Sequence, residues 1–163
     1  MTMCYVIARR SGDQSTHVGA VIVGTDNSIV SVGYNDLPRN IEDTISSRRS
    51  AAEGEKYLWT EHSERNAIYN AGRNGVPLKG CKMYVNLLPC TDCARAIIQS
   101  GIKEVVCHAE GHDAFYEARG EENRWQKPHE TVGIMFIEAQ VKLTWWKGEV
   151  HQPAFFSGKR IQL

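Results

Sequence analysis

The sequence has no long hydrophobic run. Its apolar stretches are short, and none approaches the roughly 18 residues that a membrane-spanning helix needs. In the N-terminal segment "MTMCYVIARR" the arginines follow a short apolar run, which is the wrong order for a secretory signal. We therefore expect no membrane insertion and a cytoplasmic location.

An excess of charge of either sign is also missing. The 163 residues include 19 basic and 19 acidic side chains, so nothing favours non-specific attraction to duplex nucleic acid. We expect a small-molecule partner and no long nucleic acid. The length is too short for two ordinary domains, so residues 1–163 are expected to form one domain.

The cysteines do not form an even set. Five cannot all pair within one chain, and a reducing cytoplasm would keep them as thiols, so a disulfide framework is not expected. Cys90 and Cys93 follow a proline and stand three positions apart, the spacing of a metal-binding or redox pair.

The order of the predicted elements indicates an α/β fold. The valine-rich runs "HVGAVIVGT" (17–25) and "SIVSVGYN" (28–35) flank a turn and predict a hairpin. The pattern further along the chain predicts a strand over 81–88, a helix over 89–101 and a strand over 102–108, which together form a βαβ unit. Further helices are predicted at the N-terminus, from Glu61 and over 129–140, and a last strand is predicted at 141–147. All these elements together predict a layered sandwich around a mixed sheet.

Three segments show no clear pattern. Residues 36–59 are polar and predict a long loop with a short helix, and residues 109–128 predict a loop or an excursion from the core. The tail that follows residue 147 gives no pattern. Thr60 is a suitable N-cap for the helix expected to begin at Glu61.

His62, Cys90 and Cys93 offer one imidazole and two thiolates, a ligand set that suits zinc (Zn²⁺). Three protein ligands leave one tetrahedral position open, as in catalytic rather than structural zinc sites. All three are expected near helix starts, where unpaired backbone N–H groups and the helix dipole favour thiolates. The ligand count therefore favours catalysis.

Glu64 is the remaining reactive group beside these ligands. A carboxylate near a zinc-activated water can take its proton and deliver it to a substrate. Residues two apart on a regular helix point about 200° away from each other, so His62 and Glu64 can converge only at the entrance of the helix.

Neither short motif is specific by itself. An H-x-E triplet occurs by chance, and C-x-x-C also occurs in redox pairs and structural zinc knuckles. The ordered combination H-x-E, then P-C-x-x-C opening a helix, is the signature of zinc-dependent nucleobase deaminases. Residues 62–64 and 89–93 fit it in order.

With these motifs in view, the chain resembles the cytidine deaminase superfamily, and within it most closely the deoxycytidylate (dCMP) deaminases. The resemblance runs from about residue 9 to residue 107 and more weakly through "HETVGIMFIEAQV". Its motifs are "VGAVIV" (18–23), "GYN" (33–35) with "PR" (38–39), "EHSERNAI" (61–68) and "LLPCTDCARAIIQSGIKEVV" (87–106).

The resemblance implies a five-stranded mixed sheet flanked by helices in three layers, and hydrolytic loss of ammonia from cytosine. It implies that Glu64 protonates the ring nitrogen and the leaving amine. It also implies that Asn35 binds the sugar and that the Ser63 backbone binds the pyrimidine carbonyl. Arg39 of the "PR" pair is the expected third substrate-binding residue, and a homo-oligomer is expected.

The chain departs from the family at "GYND", where Asp36 replaces the usual glycine. A carboxylate at this point would repel a phosphate, which argues against triphosphate regulation and also against a phosphate on the substrate. Arg48, Arg49, Lys56 and Arg65 also lie near the expected site, and each is interpreted as part of a solvated surface. A second zinc site built from Cys107, His108, His112 and His129 is disfavoured, because their spacing contains no recognisable ligand pair.

Two alternatives to a dCMP deaminase stay open at this point. The substrate of a deaminase could instead be a nucleoside, a modified cytosine nucleotide, dCTP or a base in RNA. A non-catalytic zinc module would need a fourth protein ligand such as Cys81, and Glu64 would then be only a surface charge.

Overall fold

The computed structural model describes residues 1–51, 55–119 and 126–163. In chain order the elements are α1 (Thr2–Ala8), β1 (Gly19–Val23), β2 (Ile29–Tyr34), a 3₁₀ turn (Ser46–Arg49), α2 (Lys56–Trp59), α3 (Ser63–Arg73), β3 (Lys82–Val85), α4 (Thr91–Gln99), β4 (Glu104–His108), α5 (Ala109–Arg119), α6 (Gln126–Glu138), β5 (Lys142–Trp146), β6 (Pro153–Phe156) and β7 (Lys159–Gln162). Among the described residues, no helix is both long and apolar enough to cross a membrane.

A five-stranded mixed sheet forms the centre of the molecule, with strand order β2-β1-β3-β4-β5. Strand β1 pairs antiparallel with β2 and with β3, whereas β3, β4 and β5 run parallel. The predicted hairpin is β1–β2, and the predicted βαβ unit is β3–α4–β4. The predicted fold class is therefore confirmed.

Helices cover both faces of this sheet. One core combines side chains of the sheet with small and branched residues of α3, α4 and α6, such as Ala67, Ile97 and Phe136. A second core joins Tyr5 of α1 and Phe115 of α5 to the C-terminal segment. Polar residues lie on the outer faces of α3 and α4, as expected for helices that pack on one side only.

Two glycines allow helices to lie directly on the strands. A Cβ atom at Gly33 of β2 would come within 2.2 Å of the Ser63 carbonyl oxygen and 2.4 Å of the Ala67 nitrogen on α3. A Cβ atom at Gly19 of β1 would come within 2.1 Å of the Cys4 carbonyl oxygen on α1. The absence of a side chain at Gly33 therefore sets how closely the start of α3 approaches the sheet.

The prediction of a loop over residues 109–128 is wrong for most of its length. Residues 109–119 form α5, and α6 begins at residue 126 rather than at 129; residues 120–125 lie outside the described residues. Few apolar side chains of α5 face the core, so its sequence lacks a strong helical pattern. Gly111 allows α5 to contact Tyr5, whose hydroxyl oxygen would lie 2.2 Å from a Cβ at that position.

The C-terminal tail, which shows no sequence pattern, forms the hairpin β6–β7. Its two-residue turn places Ser157 and Gly158 at positive φ angles of 51° and 77°, which suit the right-handed twist of the strands. The hairpin contacts the segment before β1, because the His17 backbone N–H donates to the Phe155 carbonyl at 2.8 Å.

Candidate metal and catalytic site

The site forms where two helices begin at the same edge of the sheet. His62 is the N-cap of α3 and Cys90 is the N-cap of α4, and both have extended backbone angles. The prediction that Thr60 is the N-cap of this helix is wrong, because Thr60 is the C-cap of α2 and α3 begins at Ser63. The chain leaves β3, crosses Pro89 and enters α4 at Cys90, so the same sheet edge supplies both helix starts.

The three expected metal ligands lie together. The Nδ1 atom of His62 is 3.4 Å from the Cys90 sulfur and 3.5 Å from the Cys93 sulfur, and all three donor atoms lie within 4.8 Å of one another. Tetrahedral zinc with bonds of about 2.3 Å to sulfur and 2.0 Å to nitrogen would separate these atoms by about 3.5 Å. The donor set and its spacing therefore fit a zinc ion.

The two thiols form an asymmetric pair. The pKa of the Cys90 thiol falls to about 3, because its sulfur accepts hydrogen bonds from Cys93 and His62, although burial opposes the shift. The pKa of the Cys93 thiol rises for the complementary reason, a hydrogen bond with Cys90, together with burial. One thiolate is thus already favoured, and a cation would be expected to displace the remaining proton.

Glu64 is a buried carboxyl group beside these ligands. Glu64 is only 4% exposed, and one of its carboxyl oxygens accepts a hydrogen bond from the Ser63 hydroxyl at 2.8 Å. Burial raises its pKa above the ordinary value. The opposed directions expected of residues two apart do not apply here, because His62 precedes the helix with an extended backbone.

A pocket opens over this group. Its lining includes His62, Glu64 and Cys90, and α5 contributes Phe115 and Arg119 to it. Such a pocket, with a few convergent polar groups and buried titratable residues, is the expected form of a small-molecule site.

Two of the expected substrate-binding residues line this pocket. The Asn35 amide holds the segment before β1, since its Oδ1 accepts from the Val18 N–H at 2.7 Å and its Nδ2 donates to the Thr16 carbonyl at 2.8 Å. The amide retains a lone pair and a second N–H for a ligand. Ser63 is completely buried at the first residue of α3.

The third expected residue, Arg39, lies elsewhere. It is exposed, donates a hydrogen bond to Asn70 of α3 and is not part of the pocket lining. Asp36, expected to repel a phosphate, instead accepts a hydrogen bond from the Arg49 guanidinium at 2.7 Å and one from the Gly12 N–H at 3.2 Å. The charge of its carboxylate is therefore matched within the chain.

Lys56 differs most from its expected surface position. It is 5% exposed, and its ammonium donates to both carboxyl oxygens of Asp13, at 2.9 and 2.8 Å, and to the Ser15 hydroxyl at 2.5 Å. This ion pair lowers the pKa of Asp13 against the opposing effect of burial. Both residues line the pocket, and no short motif in the sequence signals this long-range pair.

His129 of α6 also reaches the pocket, and sequence reasoning did not assign it there. Its Nδ1 contacts the Tyr116 hydroxyl, and its ring lies 5.4 Å from that of His112. Burial and the nearby His112 lower its pKa to about 4.

Within residues 1–51, 55–119 and 126–163, His62, Cys90 and Cys93 are the one group of His, Cys, Asp or Glu with metal-ligand spacing. Cys81, considered as a fourth ligand, is buried next to the Pro77 carbonyl and does not join this group. All five cysteines are free thiols, as expected. Three ligands without a fourth are typical of a catalytic zinc centre.

Comparison with known proteins identifies the family. The domain model of the cytidine and deoxycytidylate deaminase zinc-binding region matches residues 1–109, which contain all three metal ligands and Glu64. The chain belongs to this family.

Curated relatives agree with this membership. Over 109 residues the chain is 47% identical to mouse deoxycytidylate deaminase and 45% identical to the human enzyme. Each match covers 65% of this chain and 60% of the relative, so the chain spans about three fifths of the relatives it matches. An uncharacterised deaminase of Aliivibrio fischeri is 38% identical over 88% of both chains.

Solved structures show the same fold. The dCMP deaminase of cyanophage S-TIM5, determined with dCMP and dUMP, superimposes with a TM-score of 0.65 over 90% of this chain and 91% of its own, at 19% identity. The diaminohydroxyphosphoribosylaminopyrimidine deaminase/5-amino-6-(5-phosphoribosylamino)uracil reductase of Thermotoga maritima gives a TM-score of 0.58 at 22% identity, over 91% of this chain and 35% of its own. At these identities the likeness concerns the fold.

Proposed function

We propose that this chain is a zinc-dependent deaminase that converts dCMP and water to dUMP and ammonia. The observation that carries the proposal is the buried Glu64 carboxyl group beside the His62, Cys90 and Cys93 donors, in a pocket whose lining includes Glu64, His62 and Cys90. The family membership and the deoxycytidylate deaminases among the relatives support dCMP as the substrate.

His62, Cys90 and Cys93 would hold the zinc ion, whose spacing their donor atoms fit. When bound, zinc supplies the activation of a water molecule near neutral pH. Cys90 is the N-cap of α4 and Cys93 lies in its first turn, where the helix dipole stabilises negative charge.

Glu64 carries the protons in this proposal. It takes a proton from water and delivers it to the ring nitrogen next to the reacting carbon. It then delivers a second proton to the departing amino group. Burial raises the pKa of Glu64, which brings its proton affinity closer to that of the groups with which it exchanges. The hydrogen bond from Ser63 fixes the carboxyl group.

Binding of the base and sugar is assigned to two residues. The backbone of Ser63, at the start of α3, would bind the pyrimidine carbonyl, and the spare amide capacity of Asn35 would bind the sugar. Both contacts are held by secondary structure or by backbone hydrogen bonds, so little ordering is needed on binding.

The proposal also includes one deaminase domain over residues 1–163, a cytoplasmic location and assembly of several copies. Five free thiols suit a reducing compartment. Ile134 and Ile137 of α6 are 59% and 80% exposed, which suits burial against another copy.

The test is an ultraviolet assay of purified zinc-loaded protein on cytosine and adenine nucleosides and on their mono-, di- and triphosphates. We expect the highest kcat/KM with dCMP, with dUMP and ammonia formed in equal amounts. A preference for an adenine compound, or no reaction with any cytosine compound, would overturn the proposal.

Glu64→Gln separates the catalytic role from the metal site. We expect it to retain one zinc per chain while deamination falls by about 10²- to 10⁴-fold, the usual contribution of a general acid–base group. Glu138→Gln, on the exposed face of α6, is the matched control and should keep full activity. Wild-type activity in Glu64→Gln would show that another group moves the protons.

A further inference from the structure

Lys56 is a buried lysine in the pocket lining, and no step of the proposed reaction uses it. Its ammonium has three N–H donors. They meet three acceptors, which are the two carboxyl oxygens of Asp13 at 2.9 and 2.8 Å and the Ser15 hydroxyl at 2.5 Å. Because these donors are bound within the chain, we expect Lys56 to act through Asp13 and not directly on a ligand.

The Asp13 carboxylate organises the chain that follows it. Its Oδ1 atom also accepts hydrogen bonds from the Ser15 N–H at 2.7 Å and from the Thr16 N–H at 2.9 Å. An aspartate that bonds to backbone N–H groups two and three residues later fixes a turn. Asp13 is buried, and a buried carboxylate needs a partner of opposite charge, which Lys56 supplies. Lys56 therefore stabilises the turn over residues 13–16.

This turn in turn holds the side chain of Asn35. The Thr16 carbonyl accepts a hydrogen bond from Nδ2 of Asn35 at 2.8 Å, and the Val18 N–H donates to its Oδ1 at 2.7 Å. Both Thr16 and Asn35 are buried. The two bonds fix the plane of the amide, because each holds one of its two polar atoms. The turn therefore sets the direction of the lone pair and the N–H that Asn35 offers to a ligand.

Lys56 also connects Asn35 to the chain that carries the first metal ligand. Asp36 and Glu61 form an antiparallel bridge with N–H···O distances of 3.1 and 2.8 Å, next to Asn35 on one side and next to the metal ligand on the other. Helix α2, which begins with Lys56, leads into this bridge. The ion pair with Asp13 is thus a second connection between these two parts of the site.

We propose that Lys56 is a positioning residue for the substrate sugar, which acts through Asp13 and the 13–16 turn to orient the Asn35 amide towards the 3′-hydroxyl of the nucleotide. The inference rests on the proposed function, in which Asn35 binds the sugar. The deoxyribose of dCMP carries one free hydroxyl, because C2′ has none and the 5′ oxygen is bonded to the phosphate. A hydroxyl both donates and accepts, which matches the lone pair and the N–H of Asn35.

The test compares dCMP with 2′,3′-dideoxycytidine 5′-monophosphate (ddCMP), which lacks only this hydroxyl. We expect the KM of the wild type to be about three- to tenfold lower for dCMP, the usual contribution of one hydrogen bond. In Lys56→Met the KM for dCMP should rise to within about twofold of the value for ddCMP, while kcat changes little. Lys56→Arg keeps the charge and the donors and should retain most of the preference.

The preference between the two nucleotides is a readout that a purely structural role would not move. A loss of folded protein lowers the activity towards both in the same proportion. A direct contact between Lys56 and the phosphate would raise KM for both, since both carry a phosphate. A wild-type preference in Lys56→Met, or a wild type that does not distinguish the two nucleotides, would overturn the inference.

Two further variants complete the comparison. Lys103→Met is the matched control, because Lys103 is an exposed lysine outside the pocket lining, and it should leave both KM values unchanged. If Lys56→Met does not fold, Lys56→Gln serves for the same measurement, because glutamine retains a donor for Asp13 without the charge.

Binding of the product separates this inference from the proposed function. Calorimetry with dUMP and its 3′-deoxy counterpart, 2′,3′-dideoxyuridine 5′-monophosphate, needs no turnover. We expect the wild type to bind dUMP more tightly and Lys56→Met to bind the two about equally. An inactive wild type would refute the proposed function and leave this measurement valid. An active wild type whose preference for dUMP persists in Lys56→Met would refute only the role of Lys56.

Discussion

Residue identity decides the chemistry at this site, and backbone conformation decides whether that chemistry converges. His62 and Cys90 are both N-cap residues with ψ angles of 153° and 173°. The direction of an N-cap side chain does not follow the 3.6-residue period of the helix, because the N-cap backbone is not helical. His62 and Glu64 can therefore both face one pocket. The motif H-x-E therefore depends on where α3 begins.

Cys90→Ala tests the ligand set. Removal of one thiolate leaves two protein ligands, so we expect the zinc content to fall well below one per chain and the melting temperature in zinc to fall with it. Cys81→Ala removes another buried thiol, which lies outside the metal-ligand group, and should retain zinc. Metal analysis after gel filtration measures both, and full zinc in Cys90→Ala would refute the assignment.

Among the helices and strands, the contact between α3 and β2 places the residues of the candidate site. Gly33 leaves room for the Ser63 carbonyl and the Ala67 nitrogen, and Ser31 of the same strand donates a hydrogen bond to the Ala67 carbonyl at 2.7 Å. Asn66 and Asn70 of α3 donate in turn to the Tyr34 and Val32 carbonyls of β2. The helix start is thus fixed on the sheet by both packing and hydrogen bonds.

Gly33→Ala tests this contact. The new methyl group would force α3 away from β2, and we expect a loss of about 1–3 kcal/mol of unfolding free energy or more, with reduced activity. Gly72→Ala, on the same helix with nothing within 4 Å of a new Cβ, should instead stabilise the protein by about 1 kcal/mol. Chemical denaturation measures both, and similar effects for the two variants would contradict the packing argument.

Helix α5 shows why local patterns failed between residues 109 and 119. The helix has many charged residues and few apolar residues that pack against the core, so its hydrophobic pattern is weak. Its position depends on contacts with α1 and with the C-terminal hairpin. The contacts that Phe115 and Gly111 of α5 make are with residues more than 35 positions away in sequence. The local sequence pattern of α5 therefore does not indicate these contacts. The helix is nevertheless the element that brings Phe115 and Arg119 to the pocket.

In the molecule as a whole, the C-terminal hairpin contacts two segments that contribute to the pocket lining. Phe156 packs on Phe115 of α5, and the hairpin turn bonds to the segment that precedes β1, where the Gly158 N–H donates to the Ser15 carbonyl at 2.7 Å. The same segment contains Asp13, the partner of Lys56. The hairpin therefore supports the pocket without lining it.

Phe156→Ala tests that support. Loss of a completely buried phenyl ring should cost about 3–5 kcal/mol of unfolding free energy, measured by chemical denaturation. We expect the KM for dCMP to rise as well, because α5 loses its support. Phe155→Ala, whose side chain is only half-buried, is the control and should cost less. Equal costs would contradict the role of the Phe156 side chain.

His108 links the N-terminal helix to the loop after β5. Its Nε2–H donates to the Gly148 carbonyl at 3.0 Å, and its Nδ1 accepts from the Tyr5 hydroxyl at 2.7 Å, so the neutral ring satisfies both partners. Burial lowers the pKa of His108. The unfolded chain therefore binds a proton more readily than the folded one below about pH 6.5.

The contribution of His108 to stability should consequently be fully present above about pH 6.5 and should be lost as the pH drops towards the lowered pKa of His108. His108→Gln keeps an N–H donor and does not titrate, so its unfolding free energy should change less between pH 6.5 and 5. The comparison uses chemical denaturation at fixed zinc. Parallel pH curves for the two proteins would show that His108 is not responsible.

Strand alternation, helix starts and short motifs are local signals, and they were enough to predict the fold class, the group of His62, Cys90 and Cys93 and the place of Glu64 beside it. Tertiary contacts were needed to show that Lys56 is paired with Asp13, that Arg39 lies outside the pocket lining, and that α5, which packs on the C-terminal hairpin, lines the pocket. The physical reason is that these features depend on contacts between residues distant in sequence, which leave no periodic trace along the chain.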